Sequence, residues 1–480
     1  MRLSTTGLIM LSLCVAAAAQ PQAPEIEWSR TYGGSGDDEC SSIQPTADGG
    51  YVLAGATNSF GAGDYDAWLL KTDADGDSLW SRTYGGIGND YCAAAYQTAD
   101  GGYVLCGGTD SYGAGSHDFW LVRTTAGGDS LWSRTFGGAG WDICYGMQQT
   151  ADGGFVLAGW TNSIGGQRDF WLVKADEDGD SLWSRVFGGA QSDECHAIVR
   201  TLDGGYLLVG ETSSFGAGGQ DFWAIKTNAD GDSAWSRVYG GIASDACWSA
   251  DQAADSGYVL AGWTWSSGPG DDFWLVKTDS GGHSLWSRRF GGMGSDVCQS
   301  IIQTTDGYIL GGYTFSFGAG DCDAWLVKTD LNGDSVWSLT VGGDSTDDCR
   351  AVVRSSDGGY LLVGNTNSFG AGDYDFWLVK TGPELSATAP LLARDLRVLT
   401  NYPNPFNART TVEFTVPRSS RVMIRAYDLL GREVGTISDD FYAPGRHTIP
   451  WECRNCASGT YWITMSRDGF QLVRKTILLR

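Results

Sequence analysis

The motif W-S-[RL]-x-[YFV]-G-G occurs seven times, with its tryptophan at Trp28, Trp80, Trp132, Trp183, Trp235, Trp286 and Trp337. A spacing of 51 to 52 residues is that of a β-propeller blade, not of a helical repeat. Each copy holds four short strand patterns, in the first copy "ECSSIQ", "GGYVLAG", "DAWLLKT" and "SLWSRTY". Asp48-Gly49 separates the first pair and Asp75-Gly76 the last, both hairpin signals. The chain enters this pattern on a fourth-strand segment, Glu27 to Tyr32, and leaves it after a third-strand segment, Phe376 to Thr381, so each strand type is present seven times. The expected fold over 25–382 is an all-β, seven-bladed β-propeller whose N-terminal strand completes the last blade and removes the free sheet edge.

Residues 1–19 open with Met1-Arg2, continue through an apolar run from Leu8 to Ala19 and end in Ala17-Ala18-Ala19, the pattern of a signal peptide. A lipid-attachment reading at Leu11–Cys14 meets the bulky Leu13 where a small residue is needed. No other stretch approaches the roughly 20 apolar residues that span a bilayer as a helix. Lys and Arg number 32 against 57 Asp and Glu, a formal charge of −25. With no basic run to interrupt that acidity, the charge argues against nucleic acid and anionic membrane as partners.

Export sharpens the question of the cysteines. Cys40, Cys92, Cys144, Cys195, Cys247, Cys298 and Cys349 occupy one position near the start of the first strand. Equivalent points on face-packed sheets lie about 10 Å apart, and a disulfide needs Cα atoms within about 7 Å. Seven equivalent cysteines cannot all pair, so each is expected to fill a gap between strands as a small buried hydrophobe. A ring of thiols around a soft metal is the alternative, and it matches no metal geometry.

Two aspartate series are equally regular. Asp38, Asp90, Asp142, Asp193, Asp245, Asp296 and Asp347 stand two residues before the cysteines. Asp66, Asp118, Asp169, Asp221, Asp272, Asp323 and Asp375 stand two before the third-strand tryptophans. After glycine-rich loops, such carboxylates accept backbone N–H groups that no ladder satisfies. The functional alternative makes the first series candidate ligands for Ca²⁺. "TDADGDS" at Thr72 to Ser78 lacks the glycine and glutamate spacing of an EF-hand loop and reads as a hairpin turn.

Specific function is expected where the copies differ. Fourteen of the 21 tryptophans belong to the repeat; of the other seven, Trp451 and Trp462 lie beyond the repeats, and Trp141, Trp160, Trp248, Trp263 and Trp265 fall in the third and fifth copies. All five lie in the loop before the first strand, at the top of that strand or at the top of the second, and therefore on one face. The fourth copy places Glu194, His196 and Glu211 at the matching positions, and Tyr145 and Tyr313 add aromatic surface. Rings beside carboxylates are the make-up of a carbohydrate-binding cleft, where ring faces meet sugar C–H groups and acids hold hydroxyls. The plainer alternative is a set of individually packed loop aromatics.

Catalytic motifs are absent: there is no G-x-S-x-G, no H-E-x-x-H and no phosphate loop. Glu194 and Glu211 as acid and base would make a polysaccharide-degrading hydrolase or lyase, the alternative to a non-catalytic binding protein.

The repeats give way to a linker at 383–397 and a second β pattern at 398–480. "NYPNPFN" (Asn401–Asn407), "AYDLLGREV" (Ala426–Val434), "GTYWITM" (Gly459–Met465) and the ending "KTILLR" resemble the C-terminal sorting domain of type IX secretion substrates. The resemblance implies an Ig-like β-sandwich related to flagellar hook-capping proteins. It also implies contact with the secretion machinery and a secreted or outer-surface location. Cys453 and Cys456 in the "CRNC" insertion are expected to form a local disulfide outside the cell. The repeats themselves are similar to an uncharacterised group in secreted bacterial and archaeal proteins, which implies the propeller and no ligand. The expected protein binds an extracellular glycan or surface protein, with a structural or adhesion role as the third possibility.

Overall fold

The computed structural model describes residues 22–266, 270–384 and 400–479, apart from short breaks at 408, 417–419, 429–431, 444, 454–455 and 468–469. The signal peptide and nearly all of the linker lie outside the described residues. Among the described residues every regular element is a strand, and no helix is long and apolar enough to cross a membrane. The chain divides into two compact units, one spanning Gln20–Glu384 and one containing Leu385–Arg480.

The first unit contains seven four-stranded antiparallel sheets, giving an all-β, propeller-like architecture. Asp38–Pro45, Tyr51–Thr57, Asp66–Thr72 and Ser78–Tyr84 form one of them. In another, Ile26–Tyr32 lies beside Asp375–Thr381, with Trp28 opposite Lys380 and Tyr32 opposite Phe376. Apolar clusters join each sheet to the next in chain order. The last sheet also packs on the first, through Leu361 and Phe376 against Cys40, Leu53 and Trp68. Second and third strands are buried over nearly their whole length, as in "YVLAGAT" and "DAWLLKT", because both of their faces meet neighbouring sheets.

The repeated glycines follow from close approach. A Cβ on Gly137 would stand 1.7 Å from Asp118 Oδ1 and 2.6 Å from Asp142 Oδ2, so the glycine passes between the two aspartate series. Gly76 adopts φ +79° in its hairpin, and a Cβ there would meet the Trp28 indole at 2.8 Å. Arg30 covers that indole at 5.3 Å and pairs with Asp77. Beneath the other hairpins, the buried Lys71 holds Asp48 at 2.9 Å, and the same pairing recurs as Lys226 with Asp203 and Lys380 with Asp357.

The seven repeated cysteines are buried and free of disulfides, as are Cys106 and Cys322. Burial pushes the thiols at Cys40, Cys92 and Cys144 well above their usual range.

The second unit orders its strands Glu433–Tyr442, Ser420–Tyr427, Gly459–Arg467, Phe470–Leu478, Thr400–Asn407, Arg409–Val416 and Gly445–Glu452. Its core is built by Phe406, Val412, Phe414, Ile424, Trp451 and Ile463. Cys453 and Cys456 are joined in a disulfide, with Cα atoms 5.5 Å apart.

Candidate ligand-binding site

The site begins with a fault in the strand register. Between first and second strands the ladder skips one residue directly after the repeated cysteine, at Cys144/Gly146, Cys195/Ala197 and Cys247/Ser249 among others. The extra residues are Tyr145, His196 and Trp248, in three successive sheets. A bulge turns its residue out of the strand's alternation and re-aims the side chain. The glycine opposite permits it: on Gly210 a Cβ would stand 1.9 Å from the Glu194 carbonyl oxygen. A glycine inside the second strand was the available sequence sign of this bulge.

The three bulge residues meet. His196 and Trp248 stack with ring centroids 4.1 Å apart and planes at 17°. Tyr145 stands edge-on to both, at 5.3 Å from His196 and 6.4 Å from Trp248. Glu194 and Glu211 are direct cross-strand neighbours beneath them, and His196 Nε2 is 3.8 Å from Glu211 Oε2. Arg168 donates to Glu194 Oε1 at 2.5 Å and covers the Trp160 ring at 4.8 Å. Gln220 donates through Nε2 to Glu211 Oε1. Burial, and then the Glu194 charge, pushes the Tyr145 hydroxyl up. Arg168 and Gln220 were not anticipated, since both sit in the variable loop before the third strand.

The remaining expected residues divide. Trp160 is 5% exposed and capped by Arg168, so it offers no surface ring. Trp141, exposed, stacks on His117 at 4.6 Å and 5°. Trp263 is half-buried opposite Ala246 and Phe273, and Trp265 is exposed, its backbone N–H donating to the Ser244 carbonyl. Tyr313 belongs elsewhere. It lines a cleft of about 340 Å³ with Glu39, Phe315, Asp348, Arg350 and Asn365, where Arg350 pairs with Asp348 at 2.9 Å. Asp348, Arg350 and Asn365 hold the same repeat positions as Glu194, His196 and Glu211, the sign by which this cleft could have been found.

The first aspartate series is engaged by its own loops. Asp38 accepts from the Gly34 N–H and the Ser59 hydroxyl, both at 2.8 Å, and from the Thr57 hydroxyl. The same three kinds of donor serve Asp90, Asp142, Asp296 and Asp347. Asp193 and Asp245 likewise accept from Gly189 and Gly241, each at 2.9 Å.

Residues 400–479 match the secretion system C-terminal sorting domain. The match supports the sequence resemblance of this tail to type IX secretion sorting domains. The protein carrying it is secreted and attached to the cell surface. No curated protein matches the chain. Among solved structures, similarity extends to PorZ, an essential bacterial surface component of the type-IX secretion system of Porphyromonas gingivalis, with 12% identity and a TM-score of 0.44. That match covers 94% of this chain and 60% of PorZ, so the chain spans well under two thirds of PorZ's length. Puromycin hydrolase aligns with 13% identity over 82% of this chain and 62% of its own, TM-score 0.46. The β-propeller domain of the Trilobed protease from Pyrococcus furiosus aligns with 8% identity over 76% of this chain and all of its own, TM-score 0.39.

Proposed function

We propose that the chain is a cell-surface, seven-bladed β-propeller that binds an extracellular glycan through the cluster at Tyr145, Glu194, His196, Glu211 and Trp248. One observation carries the reading: three successive bulges turn aromatic or imidazole rings together over two carboxylates. Ring faces suit sugar C–H groups, and carboxylates suit hydroxyls. The blade number rests on the seven sheets and on the apolar contact of the last with the first. The sorting tail, which we read as an Ig-like sandwich, carries this ring to the surface. The aspartates of the first series act here as loop clasps.

Binding of the mature chain to a panel of polysaccharides, with calcium and with chelator, tests the proposal. Saturable binding to one glycan class that Trp248→Ala removes supports it, and no binding in either condition rejects it. Loss on chelation would move the aspartates from clasp to site. Glu194 and Glu211 face each other directly across the ladder, a pair of carboxyl groups such as glycoside hydrolysis employs. This pairing supports glycan cleavage as the second reading, and release of reducing ends separates it from binding.

A further inference from the structure

We infer that Glu194, His196 and Glu211 bind one divalent transition-metal cation. One donor atom from each lies within 4.8 Å of the other two. The site stands on these side chains alone and does not depend on the glycan reading.

His196 is the decisive group. It is 7% exposed, and among the described residues neither ring nitrogen has a hydrogen-bond partner. Leaving a buried polar group unsatisfied is costly, and this ring cannot swing out to water because Trp248 lies flat against it and Tyr145 closes its edge. The imidazole is therefore held with Nε2 toward the Glu211 carboxylate. An electron-pair acceptor would satisfy it.

The carboxylates point the same way. Glu194 and Glu211 face each other directly across the ladder, an arrangement that like charges disfavour; the Arg168 ion pair offsets the charge on Glu194, whereas Glu211 receives the neutral Gln220 amide. Arg168 occupies Glu194 Oε1, and Gln220 occupies Glu211 Oε1. One oxygen of each carboxylate remains, and Glu211 Oε2 is the atom nearest His196 Nε2. Hydrogen bonds to the outer oxygens orient metal-ligating carboxylates in this way.

The donor set selects the ion. One imidazole with two carboxylates suits Zn²⁺, Mn²⁺, Co²⁺ or Ni²⁺, whereas Ca²⁺ and Mg²⁺ favour all-oxygen shells. With metal–ligand distances near 2.1 Å, tetrahedral donors stand roughly 3.5 Å apart. Closing the present spacing takes side-chain rotations of about 1 Å, and three protein ligands leave a coordination position open to an outside oxygen.

The experiment titrates the chelator-stripped mature protein with Co²⁺, followed by its visible absorption, and with Zn²⁺, followed by calorimetry. The expected result is one saturable equivalent, weakened at least about tenfold by His196→Ala and by Glu211→Gln, with Ca²⁺ failing to compete. Circular dichroism checks each variant's fold. If His196→Ala does not fold, His196→Gln, which keeps a planar side chain against Trp248, replaces it. Absence of saturable binding, or binding unchanged in these variants, overturns the inference. A protein that takes cobalt but no glycan would uphold this site and refute the glycan reading, and the reverse result would do the opposite.

Discussion

The imidazole of His196 lies 4.1 Å from the indole of Trp248, although the two residues belong to different sheets. The contact exists because each is the bulge residue of its own strand. Trp248→Ala removes both the sugar-facing ring and the wall that holds the imidazole. On the glycan reading, affinity falls at least tenfold, about 1.4 kcal/mol. The melting temperature should move only a few degrees, because this half-buried ring backs none of the inter-sheet clusters. Calorimetric titration and a thermal melt of the same samples check both halves.

Gly210→Ala should be far worse than its single methyl implies. The added Cβ would lie 1.9 Å from the Glu194 carbonyl oxygen, against backbone that cannot yield without undoing the bulge. We expect a loss of at least about 3 kcal/mol or failure to fold. Gly204→Ala is the control: its φ is +84° but nothing lies within 4 Å of a Cβ, so it should cost only about 1 kcal/mol. Denaturant melts of the two variants compare them directly.

Asp48 gives the pH test. The hydrogen bond from the buried Lys71, aided by Thr46, holds its carboxyl down to about 2. A depressed folded pKa contributes stability that is present above the unfolded value of about 3.9 and lost as pH falls through the folded one. Asp48→Asn should therefore cost about 1–2 kcal/mol near neutrality, a modest figure because the carboxylate is more than half exposed. The gap to wild type should hold down to about pH 4 and close near pH 2. Urea midpoints measured at pH 7, 4, 3 and 2 would show it, and a gap that persists at pH 2 would sink the pairing argument.

The nine buried thiols predict a silent native protein. Burial both shields Cys40, Cys92 and Cys144 and disfavours their thiolates. An aromatic disulfide reagent should modify almost none of the nine in the folded chain and all of them in denaturant. Fewer thiols after unfolding would mean that some had paired.

The strand pattern was legible in the sequence because each copy repeats its apolar runs and turn glycines, and because Glu27–Tyr32 has the fourth-strand signature that its partner Phe376–Thr381 lacks. Glu194, His196, Glu211 and Trp248 were legible as departures from the repeat. What repeat position gives is a level along a strand; it does not say which side chains of neighbouring sheets meet. Trp160 therefore turned out buried under Arg168, and Tyr313 joined a different cleft with Arg350. The bulge escaped notice because a one-residue slip leaves the apolar pattern of the second strand untouched, and only Gly159, Gly210 and Gly262 mark it.

The strand Asp375–Thr381, from which the chain runs on toward its sorting tail, is not at the rim of its sheet: Ile26–Tyr32 lies on one side and Tyr360–Thr366 on the other. A protein tethered to a cell through that tail receives drag from flowing liquid at Thr381. The load then falls on two antiparallel ladders at once, and the first element of the unit is one of the two that resist it. Peeling that strand away would require breaking both rows of hydrogen bonds together, so the join between the unit's first and last strands would also resist tension applied there.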